Sequence, residues 1–337
     1  MGKVIDRLLA SDEPSIRHKA RVGVLGEDPG SAPIKALRRE IRSSPRVERL
    51  LSSRLDDGRI APADHVYRKW TGAHWILATL ADLGYPPGDK SLRPAMNQVF
   101  ECWLNPESFR EWVCDKPMAR RDRRGVPILN GRARRCASQQ GNALYSAVAL
   151  GFVDDRAAQL AEWLIRWQWP DGGWNCDCRP EATHSSFWET LIPLRGLAHF
   201  AKATGDAKAK AAAQGASEVF LRRRLYRRER DGSIMNSHFV RLHYPCYWRY
   251  DILRGLSVMA EAGFIGDPRC GDALDLLESK RLPDGGWPTE ERFWTTRSAE
   301  TRAGDLVDWG GVSKQRSNEW VTAEALCVLK AAGRLQV

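Results

Sequence analysis

Long apolar runs are absent from this 337-residue chain: no stretch approaches about 18 consecutive apolar residues, which excludes a membrane-spanning helix. The opening string Met1-Gly2-Lys3-Val4-Ile5-Asp6 lacks a signal-peptide pattern. Both absences lead to the expectation of a soluble, cytoplasmic protein. Strand patterns of period two are nearly absent, which argues against a sheet-built fold. Cysteine is too sparse for a small disulfide scaffold, at 8 residues. In a reducing compartment such cysteines are buried thiols or metal ligands. Core material is plentiful: 43% hydrophobic residues and 14 Trp rule out a disordered chain.

The net charge of +10 resides largely in arginine clusters, at Arg120-Arg121-Asp122-Arg123-Arg124, from Arg132 to Arg135, and from Arg222 to Arg230. Such clusters could meet nucleic acid or an anionic substrate. They interrupt the helical pattern without forming a tail, and no nucleic-acid motif accompanies them. Solvated helix faces and loops are the expected reading.

Four segments end a helix-like stretch with one punctuation: Leu55-Asp56-Asp57-Gly58, Pro170-Asp171-Gly172-Gly173-Trp174, Arg230-Asp231-Gly232-Ser233 and Pro283-Asp284-Gly285-Gly286-Trp287. Successive Asp-Gly steps lie 114, 60 and 53 residues apart, a repeat of about 57 with one weak copy. Each unit reads as an amphipathic helix, the Asp-Gly turn, a loop, and a more aromatic second helix. The second helices are expected from Trp70 to Leu83, Gly141 to Leu150, Ser186 to Phe200, Tyr247 to Ala262 and Asn318 to Ala332. Each ends near a Gly, a common helix stop. The fold class is therefore all-α, an array of helical hairpins over residues 45–337 preceded by a helical extension over 1–44. In the turn, Asp accepts backbone N–H bonds and the Trp packs between hairpins, so Asp171 and Asp284 read as structural.

The string Gln168-Trp169-Pro170-Asp171-Gly172-Gly173-Trp174 resembles the repeat motif of squalene and hopene cyclases. Ser186-Phe187-Trp188, with Gly196-Leu197 and Gly255-Leu256, resembles the β subunits of protein prenyltransferases. The chain looks most like a squalene-cyclase-like bacterial branch of that superfamily, over roughly residues 45–335. The resemblance implies an α/α toroid, inner helices forming a barrel wrapped by outer ones, and a small, largely apolar, isoprenoid-type substrate in its cavity. Two departures stand against direct transfer: the chain contains neither the Asp-x-Asp-Asp acid of class II cyclases nor an Asp-Asp-x-x-Asp magnesium motif. Protein prenyltransferases also need a separate subunit, so a partner is a further expectation.

The repeat also serves as a ruler. Twelve residues past Gly172 stands His184; eleven past Gly232 stands His243; eleven past Gly125, in the degenerate copy, stands Cys136. Cys176 lies on the loop leading to His184. Cys and His are preferred zinc ligands, which makes Cys136, Cys176, His184 and His243 a candidate zinc site, with Cys178 and Cys246 as further candidates. The resembled β subunits hold zinc with Asp, Cys and His at this rim, and His184 takes the place of their Cys before Ser-Phe-Trp. Trp75, Phe187, Trp188, Tyr247, Trp248 and Trp320 are candidate substrate-binding aromatics. Tyr250, Asp251 and His74 are candidate acid–base residues, with Glu319 nearby; Asp251 could equally pair with an Arg. The resulting expectation is a zinc-dependent lyase, cyclase or transferase. A non-catalytic binding toroid, or the β-like half of a heteromeric transferase with structural zinc, is the alternative.

Overall fold

The computed structural model describes residues 2–114, 125–296 and 304–335. It is mostly helical. The N-terminal segment holds α1 (Gly2–Leu9), α2 (Pro14–Lys19), a π-helical turn over Ala20–Val24, and α3 (Ala32–Arg42). Then come α4 (Pro45–Leu50), α5 (Ala73–Leu83), α6 (Arg93–Trp103), the short α7 (Pro106–Phe109), and α8 (Ala137–Ala149). Three more pairs follow: α9 (Asp155–Arg166) with α10 (Phe187–Thr204), α11 (Ala207–Leu221) with α12 (Ile252–Glu261), and α13 (Gly271–Ser279) with α14 (Glu319–Ala331).

The two helices of a pair differ in how much of their circumference is covered. In α9 the buried residues are Ala157, Leu160, Ala161 and Leu164, the stripe of a helix with one dry face. In α5 every residue from Ala73 to Leu80 is buried, so that helix is enclosed on all sides. The enclosed helices pack in order, α5 on α8, α8 on α10, α10 on α12 and α12 on α14. The N-terminal α2 and the π-helical turn then pack on α14. Glycine lets α8 and α10 approach closely: a Cβ at Gly141 would stand 2.6 Å from the Pro193 backbone, and one at Gly196 would stand 2.5 Å from the Gly141 carbonyl.

The Asp-Gly turns do the same work in two units. The Asp171 carboxylate accepts from the Ser185 hydroxyl at 2.6 Å, and Asp284 accepts from Ser317 at 2.7 Å. The Trp174 backbone N–H donates to Thr190 Oγ1, as that of Trp287 does to Thr322 Oγ1. The indoles of Trp174 and Trp287 are buried and donate back to Leu164 and Leu277 of the preceding helices. Each motif thus ties the end of one helix to the start of the enclosed helix that follows.

Two details differ from the sequence expectation. The weak repeat copy carries a small sheet: β1 (Glu111–Val113) pairs parallel with β2 (Val126–Leu129), which pairs antiparallel with β3 (Arg132–Ala133). Its strands are too short for an alternating pattern to stand out in the sequence. In addition, α12 begins at Ile252 and not at Tyr247, because Asp251 caps it by accepting from the Arg254 N–H at 2.7 Å. Tyr247 sits at φ +50 in the preceding loop. No helix among the described residues is long and apolar enough to cross a membrane.

The arginine clusters are largely engaged in holding the chain together. Arg134 donates to the carbonyls of Asp177 and Ala182 and lies over the Trp169 ring. Arg224 and Arg227 both bond Asp272, at 3.0 and 2.8 Å. The cluster from Arg120 to Arg124 lies outside the described residues.

Candidate metal centres and a charged interior

The N-terminal ends of the enclosed helices carry the side chains of interest. Cys136 is the residue preceding α8, and Glu189 lies in the first turn of α10. Cys176 stands in the loop after the first Asp-Gly-Gly-Trp turn. These three offer two sulfurs and a carboxylate oxygen that all lie within 4.8 Å of one another, and all three residues are half-buried. Cys176 Sγ donates to Glu189 Oε1 at 3.5 Å, while Glu189 Oε2 accepts the Ser138 N–H at 3.1 Å. The neighbouring Cys136 thiol and burial together push the Cys176 thiol up, and burial raises the Glu189 carboxyl. Thiolate and carboxylate are ligands suited to zinc, and three of them leave a fourth position free. Tyr67 stands beside this group: burial first, then the charges of Glu189, Cys136 and Cys176, raise its phenol. Its ring packs against His74, Trp75 and Trp103 at 5.1 to 5.7 Å between centroids.

A second group forms at the start of α12, where His243, Cys246 and Asp251 also have ligand atoms within 4.8 Å of one another. His243 Nδ1 lies 3.1 Å from Asp251 Oδ2, with both side chains almost fully covered.

The four residues read as one zinc site therefore divide. Cys136 and Cys176 come together, His243 joins the second group, and His184 joins neither. His184 is exposed, and its carbonyl accepts from the Asn175 side chain. Cys178 is buried, and its thiol donates to the Cys176 carbonyl at 3.7 Å. Glu189 escaped the sequence reading because an acidic residue in a first helical turn is ordinary, favoured by the helix dipole alone. The available signal was its position one residue past Ser186-Phe187-Trp188.

The candidate acid–base residues are each held by the fold. Tyr250 donates its hydroxyl to the Leu225 carbonyl at 2.6 Å, and Asp251 caps α12. His74 is 2% exposed between Trp103 Nε1, at 3.1 Å, and the Asn142 amide, at 3.2 Å. Burial lowers its imidazole to about 3, so it is neutral. Glu319 accepts from Ser11 Oγ. Among the candidate aromatics, Phe187 packs with Phe220, Phe239 and Tyr250, and Trp320 stacks on Tyr244. Trp188 meets Trp248 edge-on, with Arg249 over both rings. Trp75 and Tyr247 line a cavity, and Trp70 stacks on Tyr247 at 4.0 Å.

That cavity is small and charged. It offers about 30 Å³ to water and is lined by Asp82, Asn142, Arg195, Tyr244 and Arg254 as well as apolar groups. Asp82 of α5 accepts from Arg195 of α10 at 2.6 Å and from Arg254 of α12 at 3.1 Å. Arg195 also bonds Glu261 of α12, and its guanidinium lies over the Tyr145 ring of α8 at 3.5 Å. On the other side Glu324 of α14 bonds Ser257 and Lys19. Burial acts to raise the Asp82 carboxyl, but Arg195 and then Arg254 outweigh it and hold it at about 2.

No protein-family model matches the chain, and no curated protein matches it. Among solved structures, a protein from Actinoplanes is similar at 18% identity with a TM-score of 0.44, over 96% of this chain and 90% of that one.

Proposed function

We propose that the protein is a zinc-dependent enzyme of the α/α-toroid type, with its metal held by Cys136, Cys176 and Glu189. Ring closure is supported by Asp82, whose carboxylate on α5 meets Arg195 of α10 and Arg254 of α12. In an open superhelix of hairpins the first and fourth enclosed helices would lie too far apart for a direct ion pair. The bond from the Trp70 N–H to the Gly304 carbonyl, at 3.3 Å, also joins the loop before α5 to the loop before α14. With the Asp-Gly-Gly-Trp repeats, these contacts favour the squalene-cyclase-like and prenyltransferase-like superfamily.

The observation that carries the metal is the convergence of two thiols and a carboxylate within 4.8 Å in a half-buried place. When bound, zinc there supplies a Lewis acid with an open position, able to polarise a substrate oxygen or lower the pKa of water or a thiol. Ser138 orients Glu189 through its backbone N–H, and the Tyr67, His74, Trp75 and Trp103 rings give an apolar flank suited to a largely apolar substrate. The charged interior favours a substrate entering from the helix N-termini over one filling the middle of the ring.

Cobalt substitution tests this reading. An open Cys-Cys-Glu site gives a thiolate-to-cobalt charge-transfer band that shifts when azide or a small thiol is added. In a Cys246→Ser background, adding Cys176→Ser weakens or removes that band while far-ultraviolet circular dichroism stays helical. Read in a Cys246→Ser background, a band that ignores added ligands, or that keeps its full intensity when Cys176→Ser is added, ends the proposal.

A further inference from the structure

The group at the start of α12 differs from the first in its depth and in its space. The Asp251 side chain is fully covered, yet no Lys or Arg side chain among the described residues bonds it. Its oxygens accept instead from the backbone N–H groups of His243 and Arg254, at 2.9 and 2.7 Å, and lie 3.1 Å from His243 Nδ1. The Arg254 guanidinium turns away to Asp82. The His243 ring is 1% exposed, and its Nε2 has no hydrogen-bond partner. Burying such an atom unsatisfied costs about 1–3 kcal/mol, and among the described residues the Asp251 carboxylate has the His243 imidazole as its one side-chain ion-pair partner.

Beside these groups lies a cavity of about 20 Å³, lined by His243, Cys246, Asp82, Arg254 and Glu324. A single water needs about 10–15 Å³ by this measure, so one small solvent molecule fits and an organic substrate does not. Imidazole, thiol and carboxylate together are the donors of a borderline-soft dication.

We infer that His243, Cys246 and Asp251 form a second, buried site for zinc or a similar transition-metal dication, its remaining position facing the small cavity. Binding displaces the Cys246 thiol proton and any proton on the ligating His243 nitrogen, so that thiolate and carboxylate together balance the dication. This site does not depend on the Cys136 group. It would tie the loop before α12 to that helix's cap, beside the ion-pair network of the interior.

Native mass spectrometry of the unaltered chain, grown with zinc and exchanged into volatile buffer, is expected to show two bound zinc ions. Cys246→Ser and Asp251→Asn are each expected to lose one, while Cys176→Ser loses the other. An unaltered chain that carries a single zinc ion and keeps it in Cys246→Ser, an unaltered chain with two ions of which Cys246→Ser keeps both, or a chain without zinc overturns the inference. One zinc ion lost in Cys246→Ser but kept in Cys176→Ser upholds it and removes the Cys136 site instead. Should both variants at the second site fail to fold, the count on the unaltered chain decides: two ions uphold the inference, and fewer reject it unless Cys176→Ser retains one.

Discussion

Arg195 and Asp82 join α10 to α5 through an ion pair of 2.6 Å in the interior of the helical assembly. The Arg195 side chain is only 7% exposed and also serves Glu261, so removing it takes a shared cation from two carboxylates, leaving Asp82 with Arg254 and Glu261 with His199. Arg195→Met is expected to destabilise the protein by about 3–5 kcal/mol, read by urea denaturation at neutral pH. A loss below about 1 kcal/mol would mean that the network is hydrated and weak.

The same pair sets an acid limit. The Asp82 carboxyl is held at about 2 in the folded chain, against about 3.9 when unfolded. A depressed folded value gives stabilisation that is complete above the unfolded one and lost as pH falls towards 2. Asp82→Asn should therefore be less stable than the parent at pH 6, with the difference shrinking between pH 4 and 2. A difference constant across that range would rule out the charge as its source.

His74 has the opposite chemistry with a related outcome. It is buried neutral at about 3, so below about 6.5 the unfolded chain takes up a proton that the folded chain refuses. Stability should fall as pH drops from about 6.5 towards 3, by at most about 1.4 kcal/mol per pH unit from this residue. His18, lowered to about 4 mainly by burial, adds to the slope at its upper end. His74→Gln should flatten the pH dependence of the denaturation midpoint; an unchanged slope would show that His74 protonates without cost.

Close backbone approach makes Gly141 sensitive to a single methyl group. Its Cβ would meet Pro193 and Ile192 main-chain atoms at 2.6 to 2.9 Å, and backbone cannot rotate aside as a side chain can. Gly141→Ala is expected to cost about 1–3 kcal/mol and lower the melting temperature by several degrees. Gly205→Ala offers a contrast, since nothing lies within 4 Å of that Cβ and only its positive φ opposes the change.

Cys136 and Cys176 lie close enough for small movements to join their sulfurs. In chelator-treated protein, mild oxidation is expected to consume two titratable thiols, and zinc should protect them. Thiol counting with a chromogenic disulfide, with Cys176→Ser as control, reads the outcome. Equal oxidation with and without zinc would place the metal elsewhere.

Much of the fold was legible because its signals are local. The Asp-Gly-Gly-Trp turns, the dry stripe of α9 and the glycines ending the enclosed helices each lie within a turn or two of the residues they govern. The candidate ligand groups were legible in part. Repeat phase brought Cys136 to the start of α8 and His243 into the loop that leads to α12, but phase fixes position along the chain and not the direction a side chain takes. His184, in the loop before α10, is accordingly exposed, while Glu189, in the first turn of that helix, faces Cys176.

The sequence by itself determined that this protein is built of paired helices punctuated by Asp-Gly turns, since periodicity and turn chemistry are properties of neighbouring residues. Only the tertiary structure decided that Cys136 and Cys176 meet Glu189 while His243 and Cys246 meet Asp251, and that Asp82, Arg195, Arg254 and Glu261 meet inside. Those encounters join residues up to 172 positions apart. They depend on how five packed helices are rotated about their axes, which the whole core sets together.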